Sequence, residues 1–414
     1  MKILYVTQYF LPETCAPSNR AYSAVKHLAD AGHQVAILTE MPNHPRGIIF
    51  DSYKNKVFVH EKMDGFNVLR TWVYTSPKKN FITRILFYST FMISGILTAL
   101  LTWRNYDMIF ISSPPLFVGG IGLVLKKLFP KIKFIFEVRD LWPDVAIEMG
   151  ELSNPKFIKL STKLANSCYA LSSKIISVTN FFKDEIIKKG IKGEKIHVVR
   201  NGTDILNWSR VEGVENIRNK YNLHHKFVVI YAGNLGLAQG VETILHAADK
   251  LKDINDIIFL IIGDGPERDK LHAIHKQKYL ANTIFVNEQS RGDIAKYLSI
   301  ADCGIVPLIK SSVFRGTIPS KLFDYLSCEL PVLLGVDGEA RTILEESQAG
   351  LYYEPEDFHD LAEKILTLKD NHELRAMGRM GRKFVERFYN RKMLAQEIEK
   401  IILDTNMEKN GEDV

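Results

Sequence analysis

Between Phe314 and Pro331 the chain reads FRGTIPSKLFDYLSCELP. A Gly316–Thr317 turn runs into a helix that opens at Pro319 and Ser320. Such a start leaves backbone N–H groups without internal acceptors, with the positive end of the helix dipole behind them. Arg315 and Lys321 flank the opening, and Asp324 stands one turn inside it. N–H groups and cations suit the oxygens of a diphosphate, and a carboxylate suits ribose hydroxyls. The segment therefore has the composition of a nucleoside-diphosphate site, with Gly316, Thr317 and Ser320 supplying backbone and hydroxyl contacts. The plainer reading is an ordinary capped helix.

A second group lies at Arg139-Asp140, which ends the apolar run Phe134–Val138. Arg139 could hold a phosphate and Asp140 could orient a hydroxyl, or the two could form a structural salt bridge at a strand end. Near the first turn, Glu13 and Ser18 could meet an acceptor molecule, although Ser18 is equally placed to cap a helix. Gly263-Asp264-Gly265 makes a tight turn whose glycines would let the backbone approach a base, or would simply turn the chain. Asn201 and Asp204 read as residues that fix a turn. The sequence has no G-x-G-x-x-G after its first strand, no phosphate loop of the G-x-x-x-x-G-K-[ST] type, no Asp-x-Asp and no His-rich ligand spacing. No dinucleotide cofactor and no metal site are expected.

These groups need a frame. Short apolar runs alternate with amphipathic stretches from Ile3 onward, and the pattern restarts at Phe227. That alternation predicts two doubly wound α/β domains with parallel sheets covered on both faces. In such folds ligands lie at the carboxyl ends of strands, so a cleft between two facing sheets is the expected active site. The expected boundaries are a first domain over 1–204, a linker over 205–225, a second domain over 226–388, a helix over 389–403 that returns to the first domain, and a disordered tail over 404–414. At 414 residues, two domains are also what length predicts.

Composition narrows the partners. With 46% hydrophobic and 25% charged residues the chain is globular. A formal charge of +6 suits phosphates or an anionic membrane surface and is too small to argue for nucleic acid. The four cysteines are scattered, as expected of a reducing cytoplasm. MKILYVTQYF reads as a first strand and is too short for a secretory leader. The stretch 85–103 carries no charge, with Arg84 before it and Arg104 after. A span would separate strands of one sheet, so a helix lying in the membrane interface is expected, with a buried helix as the other reading.

On these stretches the chain resembles a glycosyltransferase of family 4, the retaining GT-B enzymes that use nucleotide sugars. The resemblance rests on AYSAVKHLADAGHQVAILT, FEVRDLWPD, VVRNGTD, YAGNLGLAQG, IIGDGPERDKL, IPSKLFDYLSCELPVLLG and QAGLYYEPED, in that order. DLWPD, GLAQG and IPSK are most similar to the WbuB-type transferases of O-antigen and capsule assembly. The resemblance implies two Rossmann-like domains, a UDP-sugar donor held by the second and a lipid-linked saccharide acceptor. It further implies no cofactor, action on the inner face of the plasma membrane, and an N-acetylated amino sugar such as N-acetylfucosamine.

Departures from the family are specific. Where it carries Gly-Arg and Lys-Gly to grip the diphosphate, this chain has Gly233-Asn234 and Gln239-Gly240. Asp324 matches the second acid of its Glu-x7-Glu pair, but the first position is Gly316. The missing charge is expected to come from Arg315 and Lys321, with Arg139 contributing. A UDP-sugar epimerase of the same fold, which would need no lipid acceptor, is one alternative. A non-catalytic nucleotide-sugar binder is the other, and slow hydrolysis of a bound donor would exclude it.

Overall fold

The computed structural model describes residues 1–13, 15–78 and 80–407. They form two compact units, residues 1–200 with 391 onward, and residues 201–390.

The first unit is built on β1 (Lys2–Val6), β2 (Gln34–Glu40), β3 (Phe58–Met63), β4 (Phe66–Thr71), β5 (Met108–Ser113), β6 (Lys133–Val138), β7 (Lys174–Ser177) and β8 (Ile196–Val198). They make one sheet in the order β3-β4-β2-β1-β5-β6-β7-β8, parallel except for β3. The central strands are buried on both faces, so they read as continuous apolar runs, such as KILYV and MIFISS. β3 is an edge strand with alternating half-exposed residues, which is why no apolar run marks it. Strand order reverses between β1 and β5, the switch point at which ligands of such sheets bind.

Helices of this unit are α1 (Ala16–Asp30), α2 (Phe81–Thr102), α3 (Gly119–Leu128), α4 (Asp144–Glu148), α5 (Pro155–Leu171) and α6 (Asn180–Lys188). α2 holds the charge-free stretch. It connects β4 to β5 of the same sheet and buries Phe91, Gly95, Thr98 and Ala99. Gly95 lets Ile121 pack close, since a Cβ would lie 2.6 Å from the Ile121 Cδ1 and push that methyl aside. The opposite face exposes Ile82, Leu86, Ile93, Leu97 and Leu101 to water. Two hydroxyls that lower the helix's hydropathy have local work. Ser94 donates to the Trp72 carbonyl at 2.6 Å and Thr90 accepts from the Tyr74 N–H at 2.9 Å, fixing the chain that leaves β4.

The second unit contains α7 (Glu215–Lys220), β9 (Phe227–Ala232), α8 (Glu242–Lys250), β10 (Ile257–Ile262), α9 (Arg268–Lys278), β11 (Thr283–Val286), α10 (Arg291–Ile300), β12 (Cys303–Pro307), α11 (Ser320–Ser327), β13 (Val332–Gly335), α12 (Glu339–Ser347), β14 (Gly350–Tyr352), α13 (Phe358–Lys369) and α14 (Leu374–Phe388). Its parallel sheet has the order β11-β10-β9-β12-β13-β14, with a reversal between β9 and β12. Residues 205–225, expected as a linker, belong to this unit. Ile205, Trp208, Ile217 and Leu223 are buried, anchors too irregularly spaced to register as a pattern.

α15 (Arg391–Met407) belongs to the first unit. Leu394, Ile398 and Ile402 join the core cluster of Ala21, Ala24, Val25 and Leu28 from α1. Glu399 hydrogen-bonds His27 at 2.7 Å and His33 at 3.1 Å. Asp404–Met407, expected in a disordered tail, complete this helix and bury Thr405; residues 408–414 lie outside the described residues.

Candidate active site

In the second unit the loops leaving β9 and β12 meet at the switch point, and α11 begins beside them. Two side chains one turn apart on α11 hold it there. Tyr325 presents its hydroxyl to the end of β9, accepting from the Ala232 N–H at 2.8 Å. Lys321 reaches the same end, with Nζ 2.9 Å from the Tyr231 hydroxyl and 4.4 Å from the centre of the Tyr231 ring. It also donates to Oε1 of Gln239. Its stem lies over Gly233, where a Cβ would come within 2.4 Å of Cε. Lys321 thus carries its charge to Gln239, where the family's lysine is missing, and to Gly233, next to Asn234, where its arginine is missing.

The Lys321 ammonium has neutral oxygens and an aromatic face for company. Among the described residues no carboxylate stands within ion-pair distance of it. The side chain keeps some surface exposed, yet its amine is packed in protein, and that desolvation lowers its pKa to about 7. A poorly hydrated amine without a counter-ion is poised to gain both a proton and a partner when an anion arrives.

Other expected donor residues fall around it. Gly316 closes a 3-10 turn over Val313–Gly316, Thr317 donates its N–H to the Phe314 carbonyl at 2.9 Å, and Ser320 is the first residue of α11 behind Pro319. Pro319 makes no side-chain cap; Leu322 donates its N–H to the Pro319 carbonyl at 3.1 Å, and helix geometry gives the N–H groups of Ser320 and Lys321 ahead of it no acceptor within α11. Asn234 is exposed, and its carbonyl accepts from the Tyr231 hydroxyl at 2.6 Å.

Three expectations change in this unit. Arg315 is 61% exposed and stands 3.5 Å from Asp337, a surface partner that sequence separation hid. Asp324, expected at the ribose, accepts from the buried Thr203 hydroxyl at 2.6 Å, a bond that ties α11 to the start of the unit. The space beside Gly263 and Gly265 is filled by protein. A Cβ on Gly263 would lie 1.9 Å from the Gly233 carbonyl, and one on Gly265 would lie 2.5 Å from that of Leu235. Gly233 and Gly263, at φ of 151° and 145°, let the ends of β9 and β10 turn against each other.

In the first unit, Arg139 and Asp140 stand at the carboxyl end of β6. The Arg139 N–H donates to the Ser113 carbonyl at 3.1 Å, placing the residue next to the end of β5. Its Nε is buried without a hydrogen-bond partner, and no ion pair engages it among the described residues. Burial pushes Asp140 up to about 6, with the Arg139 charge acting in the opposite direction. The two are close enough to interact, but no salt bridge consumes them.

Glu13 and Ser18 are corrected. Glu13 is buried, and its oxygens accept from the N–H groups of Asn43 (2.7 Å), His44 (2.8 Å) and Phe10 (3.2 Å). It clasps the loop after β1 to the loop after β2 and has no free face for an acceptor. Ser18 is fully buried inside α1 with its hydroxyl unpartnered, and the N-cap position is Cys15.

Sequence reasoning also missed residues that shape the site. Tyr325 was findable, since it follows Lys321 by one helical turn on the same face. Tyr231 was not, because nothing in FVVIYA marks one residue of a buried strand. Glu40 accepts from Gln8 and Asn43, both at 2.7 Å, and burial first and the Glu13 carboxylate second push its pKa well above the ordinary range. Among the described residues no cluster of three or more His, Cys, Asp or Glu side chains converges as metal ligands would.

Comparison with known proteins defines the class. Residues 18–205 match the family description Glycosyltransferase Family 4, and residues 213–384 match Glycosyl transferases group 1. Each half of the chain thus matches a glycosyltransferase model, the fold is GT-B, and the chain is a glycosyl-transferring enzyme. That leaves the epimerase and the non-catalytic binder without support. The chain is similar to the putative colanic acid biosynthesis glycosyl transferase WcaI of Escherichia coli K12, with 26% identity over 335 residues, 79% of this chain and 81% of WcaI. Its fold is that of sucrose-phosphate synthase from Thermosynechococcus elongatus, at a TM-score of 0.75 and 16% identity over 97% of this chain and 98% of the other. Anabaena HepE, solved in complex with UDP and glucose, has a TM-score of 0.72 at 15% identity over 97% and 99% of the two chains.

Proposed function

We propose that this enzyme moves a sugar, with retention of anomeric configuration, from a UDP-linked donor to a polyprenyl-diphosphate-linked oligosaccharide during assembly of a bacterial surface polysaccharide. The observation that carries this reading is Lys321, which has no counter-ion among the described residues, at the switch point of the second unit. The similarity to WcaI supports the polysaccharide setting. The WbuB-type motifs favour an N-acetylated amino sugar, in line with Gly316 where the family has a donor-sugar glutamate. The exposed apolar face of α2 supports work at the inner face of the plasma membrane.

In this mechanism the bond between the anomeric carbon and the β-phosphate oxygen breaks, and the leaving UDP gathers negative charge. Lys321 and the first N–H groups of α11 receive it, with Asn234 and Gln239 as neutral donors. The acceptor oxygen attacks the same face of the sugar and passes its proton to the departing phosphate. Asp140 orients the acceptor hydroxyl, and Arg139 offers its unpartnered Nε to a phosphate.

The decisive experiment is transfer from a panel of UDP-sugars to lipid-linked acceptors extracted from a polysaccharide-deficient strain. Product with retained configuration supports the reading; activity with donors other than UDP-sugars alone would refute it.

Two pH effects follow. In the free protein the Lys321 amine titrates near 7, and a bound diphosphate must raise that value. UDP binding between about pH 7 and 9 should therefore take up a proton. Calorimetry in buffers of different ionisation enthalpy reads that uptake, and Lys321→Ala should abolish it. Asp140 titrates near 6, so kcat/KM should fall on the acid side of pH 6 as the carboxylate is lost. The pH–rate profile of Asp140→Asn should lack that limb.

A further inference from the structure

Beside α2 the first unit encloses a cavity of about 490 Å³. Its walls are almost wholly apolar: Tyr88 and Met92 from α2, Phe117 after β5, Trp142 after β6, and Leu160 and Leu164 from α5. The charged residues lining it are Arg84 and Glu151, paired at 2.7 Å with both side chains more than two-fifths exposed. A pair so exposed is worth little, so Arg84 is free to turn to another anion.

Three observations say what enters. Among the cavity's lining residues, Phe81 of α2 and Phe157 and Leu160 of α5 are also exposed, so an apolar chain could pass into it along an apolar surface. Exposed Lys156, Lys159 and Lys163 alternate with Phe157 and Leu160 on α5. That mixture suits an anionic lipid surface, and a second copy would set like charges against each other. Finally, the Trp142 N–H donates to the Asp140 carbonyl at 3.0 Å, so one wall of the cavity is continuous with the turn that carries Arg139 and Asp140.

We infer that this cavity holds the first isoprene units of the acceptor's polyprenyl chain, with Arg84 at the rim facing its diphosphate. The inference rests on the lipid-linked acceptor of the proposed function, and it explains how that acceptor is presented. A chain drawn into the protein beside Asp140 would lift the diphosphate end out of the headgroup layer and hold it at the reacting turn. α2 then does two things, resting its outer face on the membrane and walling one side of the chain's path.

Farnesyl diphosphate, a soluble isoprenoid diphosphate, is the probe, and its binding to the full chain needs no turnover. Ser161 lies on the cavity wall at the half-buried surface of α5, so Ser161→Trp fills the space without cutting into the core. The full chain should bind farnesyl diphosphate about tenfold or more tighter than inorganic diphosphate. Ser161→Trp should lose that difference while keeping UDP affinity, which also shows that it folds. Leu101→Gln, on the same helix but outside the cavity, should leave farnesyl diphosphate binding unchanged. Equal binding of the two diphosphates, or undiminished farnesyl binding by Ser161→Trp, overturns the inference. So does binding of phosphatidylglycerol vesicles by a chain that fails to bind farnesyl diphosphate, or self-association that Ser161→Trp abolishes. If farnesyl diphosphate binds as described but no lipid-linked acceptor is glycosylated, the acceptor assignment fails and the cavity's ligand class stands.

Discussion

Lys321→Ala should lower turnover by about two to three orders of magnitude while the protein stays folded. Removing one preorganised donor from a developing oxyanion typically costs about 3–4 kcal/mol of transition-state stabilisation. Here the loss should sit near the top of that range, because the family's two other cations are already replaced by Asn234 and Gln239. Stability should hardly suffer. The Lys321 amine has a folded pKa of about 7 against an ordinary value of 10.5, so folding disfavours its charge. Sign follows from that depression: the unfolded chain binds the extra proton between about pH 7 and 10.5, stability rises with pH across that window, and below it the buried charge works against the fold. Alanine removes this penalty along with the bonds to Tyr231 and Gln239. The expected pattern is an unchanged or slightly raised unfolding midpoint with kcat strongly reduced. Near-normal kcat would show that the charge is received elsewhere.

Arg20→Ala should have the largest effect on stability, about 3–5 kcal/mol, the range for breaking one partner of a buried ion pair. Arg20 on α1 reaches Glu137 on β6, with Nε 3.0 Å from one carboxylate oxygen, and donates to the carbonyls of Arg200 at 2.8 Å and Val199 at 3.0 Å. The Ser112 hydroxyl takes the other Glu137 oxygen at 2.5 Å. Burial alone would push the Glu137 carboxyl upward; the charges of Arg20 and then Arg139, with the Ser112 bond, outweigh it and hold it below the ordinary value. In wild type this stabilisation is present above the ordinary carboxylate range and is lost as pH falls through the depressed pKa. Without Arg20 the sign inverts, and a stranded Glu137 destabilises most at neutral pH. The gap between variant and wild type in urea denaturation should therefore narrow as pH is lowered. A gap of less than about 1 kcal/mol at neutral pH would contradict the role assigned to the pair.

That pair also shows where sequence reading stops. Arg20 and Glu137 are 117 residues apart, and nothing local announces that α1 will lay one upon the other. Both sheets were legible, since strands buried on two faces must be apolar throughout; β3 and the three-residue β14 were not, one half-exposed and the other too short for a pattern. The site divides the same way. Lys321 could be named because a cation beside a Pro-Ser helix start has a local chemical meaning. Its contacts with Tyr231 and Gln239 depend on how β9 ends, which local spacing does not state. Glu13 was misassigned because a carboxylate in a turn looks the same whether it faces a ligand or clasps three N–H groups. Arg315 was read without its neighbour Asp337, which lies beyond α11 and β13.

UDP and UMP differ by the β-phosphate, the group that Lys321 is proposed to receive. Measuring both affinities in wild type and in Lys321→Ala, at neutral pH with chelator present, tests that assignment without turnover or acceptor. Wild type should prefer UDP, and the variant should lose about tenfold or more of that preference while its UMP affinity stays the same. An unchanged UDP-to-UMP ratio, or a preference for UDP that vanishes in wild type when divalent ions are removed, would contradict it.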